Sequence, residues 1–151
     1  MEYLIRDFQE SDIDELIILC TKHATHEQSD YDPKDKDKAG RLKNALLSDN
    51  PYLRCWIVVV KNEYAGYATF TFDFSTWDAR YYLHLDCIYL EEKFRGLGIG
   101  KAVMEKLVGE AKSNNCINLQ WQTPVFNKMA IKFYERIGGT PRDKKRFFIS
   151  T

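Results

Sequence analysis

The chain has 151 residues, of which 44% are hydrophobic and 14% aromatic, so it is long and apolar enough to bury one hydrophobic core. Its 22 basic and 22 acidic residues give a formal net charge of zero, unlike the basic surface expected of a nucleic-acid-binding protein. No apolar run approaches the roughly 20 residues that span a bilayer, and the acidic start is unlike a signal peptide. We expect a single domain over residues 1–151 with neither nucleic-acid nor membrane partners.

Hydrophobic periodicity predicts a mixture of helices and strands. Apolar residues recur at helical spacing along residues 13–24 and 99–111, whereas residues 53–60 are apolar enough for a central strand. In chain order we predict a strand at 2–8, helices at 13–24 and 36–47, strands at 53–60, 64–74 and 80–90, a helix at 98–113, a strand at 116–122, a helix at 127–137 and a last strand at 144–151. This order predicts an α/β protein with a mixed sheet flanked by helices, parallel where a crossover helix intervenes.

The strongest functional signal is a glycine-punctuated loop between the strand that ends at Leu90 and the helix that follows. Its glycines, at positions 96, 98 and 100, leave backbone N–H groups uncovered at the positive end of a helix. Such an arrangement suits a phosphate-bearing ligand.

Two nucleotide-binding motifs fail at this loop. The dinucleotide fingerprint needs a third glycine where Lys101 stands. The P-loop needs a serine or threonine at Ala102 and a glycine at Arg95. A tight strand–helix connection without a ligand is the structural alternative for a glycine-rich turn of this kind.

The pattern Arg95-x-x-Gly98-x-Gly100 resembles the acyl-coenzyme A loop of the GNAT superfamily of N-acetyltransferases. Residues 127–139, Asn-x-x-Ala-x-x-Phe-Tyr-x-x-x-Gly-Gly, resemble the second recognisable segment of that family, and the two segments occur in the family's order. The resemblance covers essentially the whole chain. It implies the GNAT acyl-CoA N-acyltransferase fold, with a mostly antiparallel sheet splayed open at the strand before the loop.

The same resemblance implies acetyl-CoA as the cosubstrate, with no metal. The main chain of the splayed strand would bind the pantetheine arm, and the loop would hold the pyrophosphate. Asn127 would bind the pantetheine arm or cap its own helix. The residues implied in donor binding are Ile88, Tyr89, Leu90, Arg95, Gly96, Leu97, Gly98, Ile99, Gly100, Lys101 and Asn127.

Two residues are implied in the chemistry. Tyr134 matches the family tyrosine near the thioester sulfur, where it would protonate the departing thiolate. Its alternative is a core aromatic whose hydroxyl merely finds a partner. The acceptor amine must be neutral to attack, so a carboxylate must remove its proton. Asp86, in the middle of an apolar strand, is the candidate, and a structural hydrogen bond is the alternative explanation for burying an acid there.

Residues 74–86 and the loop after them are similar to the diamine (polyamine) acetyltransferase branch of the family. In that branch an acid matching Asp86 handles the substrate amine, and a Tyr-Glu pair matching His26 and Glu27 contacts the polyamine. Here Asp replaces Glu and His replaces Tyr, which leaves the acceptor open among polyamines, lysine-like amino acids and aminoglycosides. A protein or peptide N-acetyltransferase and a non-catalytic acyl-CoA-binding regulatory module remain alternatives.

The remaining polar and thiol residues predict no further site. Two histidines near the end of the first predicted helix, His23 and His26, are interpreted as solvated helix-end residues. The cysteines at 20, 55, 87 and 116 show no C-x-x-C spacing and predict buried, reduced thiols in a cytoplasmic protein. Relatives in the family are often dimers through their last strands, and the aromatic pair Phe147-Phe148 permits a homodimer.

Overall fold

A computed structural model describes residues 2–151, in which a five-stranded sheet separates two layers of helices. The strands are β1 (Tyr3–Asp7), β2 (Arg54–Val60), β3 (Glu63–Ser75), β4 (Arg80–Leu90) and β5 (Leu119–Gln120). The helices are α1 (Ile13–His26), α2 (Lys38–Leu47), α3 (Ile99–Ser113) and α4 (Lys128–Arg136), with short 3-10 turns at Glu10–Asp12 and Glu92–Phe94.

The strands lie in the order β1-β2-β3-β4-β5, and only the last pair is parallel. Lys61 and Asn62 join β2 to β3, both with positive φ (+49° and +64°), as in the tight hairpin turns that match the natural twist of strands. The β4–β5 connection contains α3, because parallel neighbours need a crossover. The predicted mixed, mostly antiparallel sheet is confirmed.

Each face of the sheet packs against its own helices because side chains alternate along the strands. On β2, Trp56 and Val58 point to the α3 side, where α3 contributes buried residues such as Val103 and Leu107. Its neighbours Cys55 and Ile57 point to the other side, against Leu16 and Leu19 of α1 and Leu46 of α2.

The sheet opens between β4 and β5, as predicted. The two strands pair only at Leu83 with Leu119 and at His84 with Gln120, so the rest of β4 runs on beside a gap. A β-bulge lies where the gap begins: Cys87 pairs with Thr69 and Leu85 with Phe70, which leaves Asp86 as the extra residue.

The prediction of a last strand at residues 144–151 is wrong. Residues 137–151 form neither helix nor strand, and Phe147, Phe148 and Ile149 are 87%, 78% and 90% exposed. Strand-like sequence needs a neighbouring strand for its backbone hydrogen bonds, and this segment pairs with none within residues 2–151.

Candidate active site

The glycine loop presents open backbone at the start of α3. Gly96 and Gly98 have φ of +73° and +82°, which L-residues rarely adopt. No protein atom lies within 4 Å of a Cβ built on either residue, so the space in front of the loop is open. The first hydrogen bond of α3 runs from the Ala102 N–H to the Gly98 carbonyl at 3.1 Å. The N–H groups before Ala102 therefore have no partner inside the helix.

Just before this loop, alternate residues of β4 direct their backbone N–H and C=O groups toward the gap. The Glu91 N–H donates to the Ala65 carbonyl of β3 at 2.8 Å. Because successive residues of a strand face opposite sides, the backbone groups of Leu90 and Ile88 face the gap. Tyr89 lies between them with its side chain buried.

The two positively charged residues of the loop are placed differently. The Arg95 Nε donates to the Leu90 carbonyl at 2.8 Å, and its guanidinium lies 5.4 Å from the centre of the Tyr89 ring. This contact uses one of the five N–H donors of the guanidinium and fixes the end of β4. Lys101 is exposed and pairs with Glu105 one turn along α3 at 3.6 Å.

These features fit acetyl-CoA. A helix N-terminus with uncovered N–H groups suits a pyrophosphate, and an unpaired strand edge suits an arm that carries amides. A side chain at position 96 or 98 would project into the open space before these N–H groups. Gly100 brings α3 close to α4, because a Cβ there would lie 3.3 Å from the Phe133 ring.

Tyr134, on α4, lies half-buried against Trp121, with ring centres 5.3 Å apart in an edge-on arrangement. Burial, and then the charge of Glu27, raises the pKa of Tyr134 to about 12, so the hydroxyl is protonated at neutral pH and can donate. Asn127 caps α4, accepting the Ala130 N–H at 3.4 Å, which is one of its two predicted roles.

Asp86 differs from its prediction. The sequence suggested a buried acid, but the side chain is exposed. As the extra residue of the bulge, Asp86 lies outside the regular alternation of side chains between the two faces of the sheet. The Thr69 hydroxyl donates to the Asp86 carboxylate at 3.4 Å. The bulge therefore presents a carboxylate at the start of the gap.

The two histidines of α1 also differ from prediction. His26 is exposed, but His23 is buried, with 8% of its surface exposed, so its interpretation as a solvated residue is wrong. Its Nδ1 lies 2.8 Å from the Tyr67 hydroxyl and its Nε2 lies 3.1 Å from the Glu27 carboxylate. Position 23 continues the spacing of the buried Leu16 and Leu19, a periodicity that could have predicted its burial.

Electrostatic interactions link titratable side chains of α1, β4 and α4. The charge of Glu27, at the end of α1, adds to the rise in the pKa of Tyr134 on α4. Burial lowers the pKa of His23, and the charges of Glu27 and Asp86 oppose part of that fall. Glu27 therefore lies within electrostatic range of both Tyr134 and His23, and Asp86 lies within range of His23.

Residues 2–151 contain neither a candidate membrane-spanning helix nor a candidate metal-ligand cluster. No helix there has both the length and the apolar character to cross a bilayer. The same residues bring together no group of three histidine, cysteine or acidic side chains that could hold a metal ion.

Residues 2–139 match the acetyltransferase (GNAT) family. A thialysine N-epsilon-acetyltransferase of Bos taurus is 25% identical over 143 residues, which cover 89% of this chain and 82% of the relative. The human spermidine/spermine N(1)-acetyltransferase-like protein 1 is 25% identical over 146 residues, which cover 91% of this chain and 21% of the relative.

Solved structures share the fold. The aminoglycoside N-acetyltransferase AAC(6')-Iy, solved in complex with the bisubstrate analogue CoA-S-monomethyl-acetylneamine, superposes with a TM-score of 0.80. The superposition covers 100% of this chain and 99% of that chain, at 15% identity.

Proposed function

Because the chain belongs to the acetyltransferase (GNAT) family, we propose that it transfers the acetyl group of acetyl-CoA to a primary amine of a small, cationic acceptor. The observation that carries the acceptor class is the pair of carboxylates, Glu27 and Asp86, which both act electrostatically on His23, and of which Glu27 also acts on Tyr134. Two negative charges attract an ammonium group and can also accept its proton.

The donor side of the cleft is formed by the loop and the gap. The N–H groups at the start of α3 bind the pyrophosphate, and the gap-facing backbone of Ile88 and Leu90 binds the pantetheine arm. Tyr89 and Arg95 hold the end of β4 in place for this purpose. When bound, acetyl-CoA supplies the acetyl thioester.

The acceptor side is formed by α1 and the bulge. Glu27 and His26 bind the cationic acceptor, and Asp86 takes the proton from the attacking amine. The exposure of Asp86 suits this role, because an exposed carboxylate can pass the proton on to solvent. Its place at the start of the gap supports this role, because the donor would then lie along the same strand edge.

Tyr134 donates a hydrogen bond to the departing sulfur. Its pKa of about 12 keeps the proton on the hydroxyl at neutral pH. An acceptor cation bound at Glu27 offsets the carboxylate charge that contributes to this raised pKa. Binding the acceptor therefore makes Tyr134 a better proton donor for the thiolate.

The relatives narrow the acceptor to a small amine. The relatives include a thialysine N-epsilon-acetyltransferase, a spermidine/spermine N(1)-acetyltransferase-like protein and an aminoglycoside N-acetyltransferase. Polyamines, lysine-like amino acids and aminoglycosides are therefore the first acceptors to test.

The test follows thiol release from acetyl-CoA with a panel of amines at equal concentration, and the acetylated product is confirmed by mass. We expect turnover with thialysine, spermidine or an aminoglycoside. Turnover with peptides alone would reveal a protein or peptide N-acetyltransferase. Binding of acetyl-CoA without turnover of any amine would reveal a regulatory module.

Assembly and compartment complete the proposal. The exposed apolar side chains of residues 147–149 support a homodimer in which a second copy covers them. Light scattering should then give about twice the chain mass of 17.7 kDa, and Phe147→Ser with Phe148→Ser should give the monomer. The four free thiols support a cytoplasmic location, because reducing compartments keep thiols unpaired.

A further inference from the structure

His23 is held between two aromatic side chains in the core between α1 and the sheet. The ring stacks on Tyr89 with centres 5.3 Å apart and an interplanar angle of 23°, and it meets Tyr67 edge-on at 5.8 Å. Tyr67 is 2% exposed. Rotation of the imidazole would therefore need a rearrangement of packed aromatic side chains.

The partners of His23 define where its proton lies. A carboxylate can only accept, so the His23 Nε2–H donates to Glu27. The Nδ1 atom then carries a lone pair, and the Tyr67 O–H donates to it. The result is one directed chain, from the Tyr67 hydroxyl through the imidazole to the Glu27 carboxylate.

This chain needs a neutral imidazole, and the surroundings provide one. Burial lowers the pKa of His23 below its ordinary value of 6.5, and the nearby His26 acts in the same direction. The groups that face it from α1, β3 and β4 are Glu27, His26, Tyr67, Asp86 and Tyr89.

The surroundings of Glu27, apart from His23, do little to fix its carboxylate in one position. It directly follows α1, where the negative end of the helix dipole disfavours a carboxylate. Its side chain is 32% exposed, so solvent competes for it. The buried His23 ring supplies the side-chain hydrogen bond to this carboxylate, at 3.1 Å.

We propose that His23 is a positioning residue for acetyl transfer, whose Nε2–H fixes the Glu27 carboxylate toward the acceptor amine while Tyr67 fixes the tautomer. This role rests on the proposed function of Glu27. The step involves no net proton transfer through His23. Protonation of the imidazole places a second proton on Nδ1, breaks the bond from Tyr67 and leaves a cation beside Glu27, which weakens attraction of the acceptor.

The experiment compares His23→Leu, His23→Gln, Glu27→Gln and the double variant His23→Leu/Glu27→Gln. We expect His23→Leu to lower kcat/KM for the acceptor about tenfold or more, because hydrogen bonds to charged groups are the strong ones. KM for acetyl-CoA should stay within about twofold. Gln at position 23 keeps an N–H donor and should recover most of the loss.

The double variant separates positioning from packing. If His23 acts through Glu27, its replacement should cost less than about twofold once Glu27 is already Gln. Thr25→Ala, an exposed change on the same helix turn, is the matched control and should leave kinetics unchanged. A full tenfold loss in the Glu27→Gln background, or no loss in the wild-type background, overturns the proposal.

A second readout needs no turnover. The ¹⁵N chemical shifts of the His23 ring should show the Nε2–H tautomer in the wild-type protein and a mixture of tautomers in Glu27→Gln. A dominant Nδ1–H tautomer in the wild type overturns the proposal even where His23→Leu folds poorly. A wild-type protein that acetylates no amine overturns the proposed function and the positioning role with it, whereas an active wild type with additive variants overturns the positioning role alone.

Discussion

The Gly139 N–H donates to the Tyr134 carbonyl at 2.8 Å, which brings the chain after α4 back onto the residue proposed to act as the acid. A Cβ on Gly139 would lie 2.8 Å from that carbonyl oxygen and 3.2 Å from the Trp121 ring. Glycine at this position lets Trp121 pack against Tyr134.

Replacement of Gly139 by Ala should therefore disturb Tyr134. We expect kcat to fall several-fold and the free energy of unfolding to drop by about 1–3 kcal/mol, as for other overpacked sites. Steady-state kinetics and denaturant titration measure the two effects. Gly109→Ala, at an open position of α3, is the control and should be neutral or stabilising. Wild-type kcat in Gly139→Ala would show that the Trp121 contact does not hold Tyr134.

Removal of the Tyr134 hydroxyl should affect the chemical step. Tyr134→Phe should lower kcat at least about tenfold and leave the Kd for acetyl-CoA nearly unchanged, because general acid catalysis typically contributes 10²–10⁴-fold. The measurements are kcat with a saturating amine and calorimetric titration with acetyl-CoA. Tyr52→Phe, which changes an exposed tyrosine, serves as the control. Unchanged turnover would remove Tyr134 from the mechanism.

Neutralisation of Asp86 should shift the pH dependence of acetyl transfer. Asp86→Asn removes the proton acceptor, so the amine must lose its proton to solvent and a higher pH is needed for activity. The pH profile of kcat/KM for the acceptor measures this shift. Asp78→Asn, in the hairpin loop, is the control. An unaltered profile would assign Asp86 a structural role.

A side chain at Gly98 should weaken donor binding. Alanine pays about 1–2 kcal/mol to adopt a left-handed φ, and its methyl group enters the open space before the N–H groups of α3. We expect the Kd for acetyl-CoA to rise about tenfold or more, while kcat at saturation changes little. Gly40→Ala, at an open position of α2, is the comparison. Equal affinities would place the pyrophosphate elsewhere.

Stability should depend on Asp12 at low pH. Arg6 donates to its carboxylate at 2.7 and 2.9 Å and Tyr64 donates at 2.7 Å, and with the Gln9 N–H they lower the pKa of Asp12 from 3.8 to about 2 despite burial. A lowered pKa contributes stability above the unfolded-state pKa and loses it as pH falls through the folded-state pKa. The contribution is about 2 kcal/mol at neutral pH.

Denaturant titrations of the wild type and Asp12→Asn test this dependence. The difference in unfolding free energy should be full near pH 6 and should shrink between pH 4 and pH 2, the window set by the values 3.8 and about 2. Asp7→Asn, at the exposed end of β1, provides the comparison. A difference that stays constant down to pH 2 would contradict the link to ionisation of Asp12.

The fold and the donor side of the site follow from local sequence signals. The glycine loop and the α4 segment depend on backbone conformation and helix spacing, which neighbouring residues dictate. The helical spacing of α1 could have predicted the burial of His23, but not its hydrogen bond to Tyr67, 44 positions away. The need for glycine at position 139 depends on Trp121, 18 positions away, whose packing no local pattern encodes. The bulge at Asp86 was missed because it is a property of the register with β3.

The last predicted strand failed for a related reason. Residues 144–151 carry strand-forming side chains, but a strand exists only with a partner, and sequence pattern does not identify one.

The bulge at Asp86 makes the length of β4 as important as the carboxylate that the bulge carries. Before the bulge, the odd-numbered Leu83 donates its N–H toward β5. After the bulge, the even-numbered Ile88 and Leu90 turn their backbone groups to that same side, where the gap lies. This change from odd-numbered to even-numbered residues depends on the one residue that the bulge adds. Exposed positions usually tolerate change. Here, deletion of Asp86 would rotate the donor-facing backbone into β3. Evolution can therefore exchange one acid for another at this position, but it cannot shorten the strand there without losing the edge that we propose binds the donor.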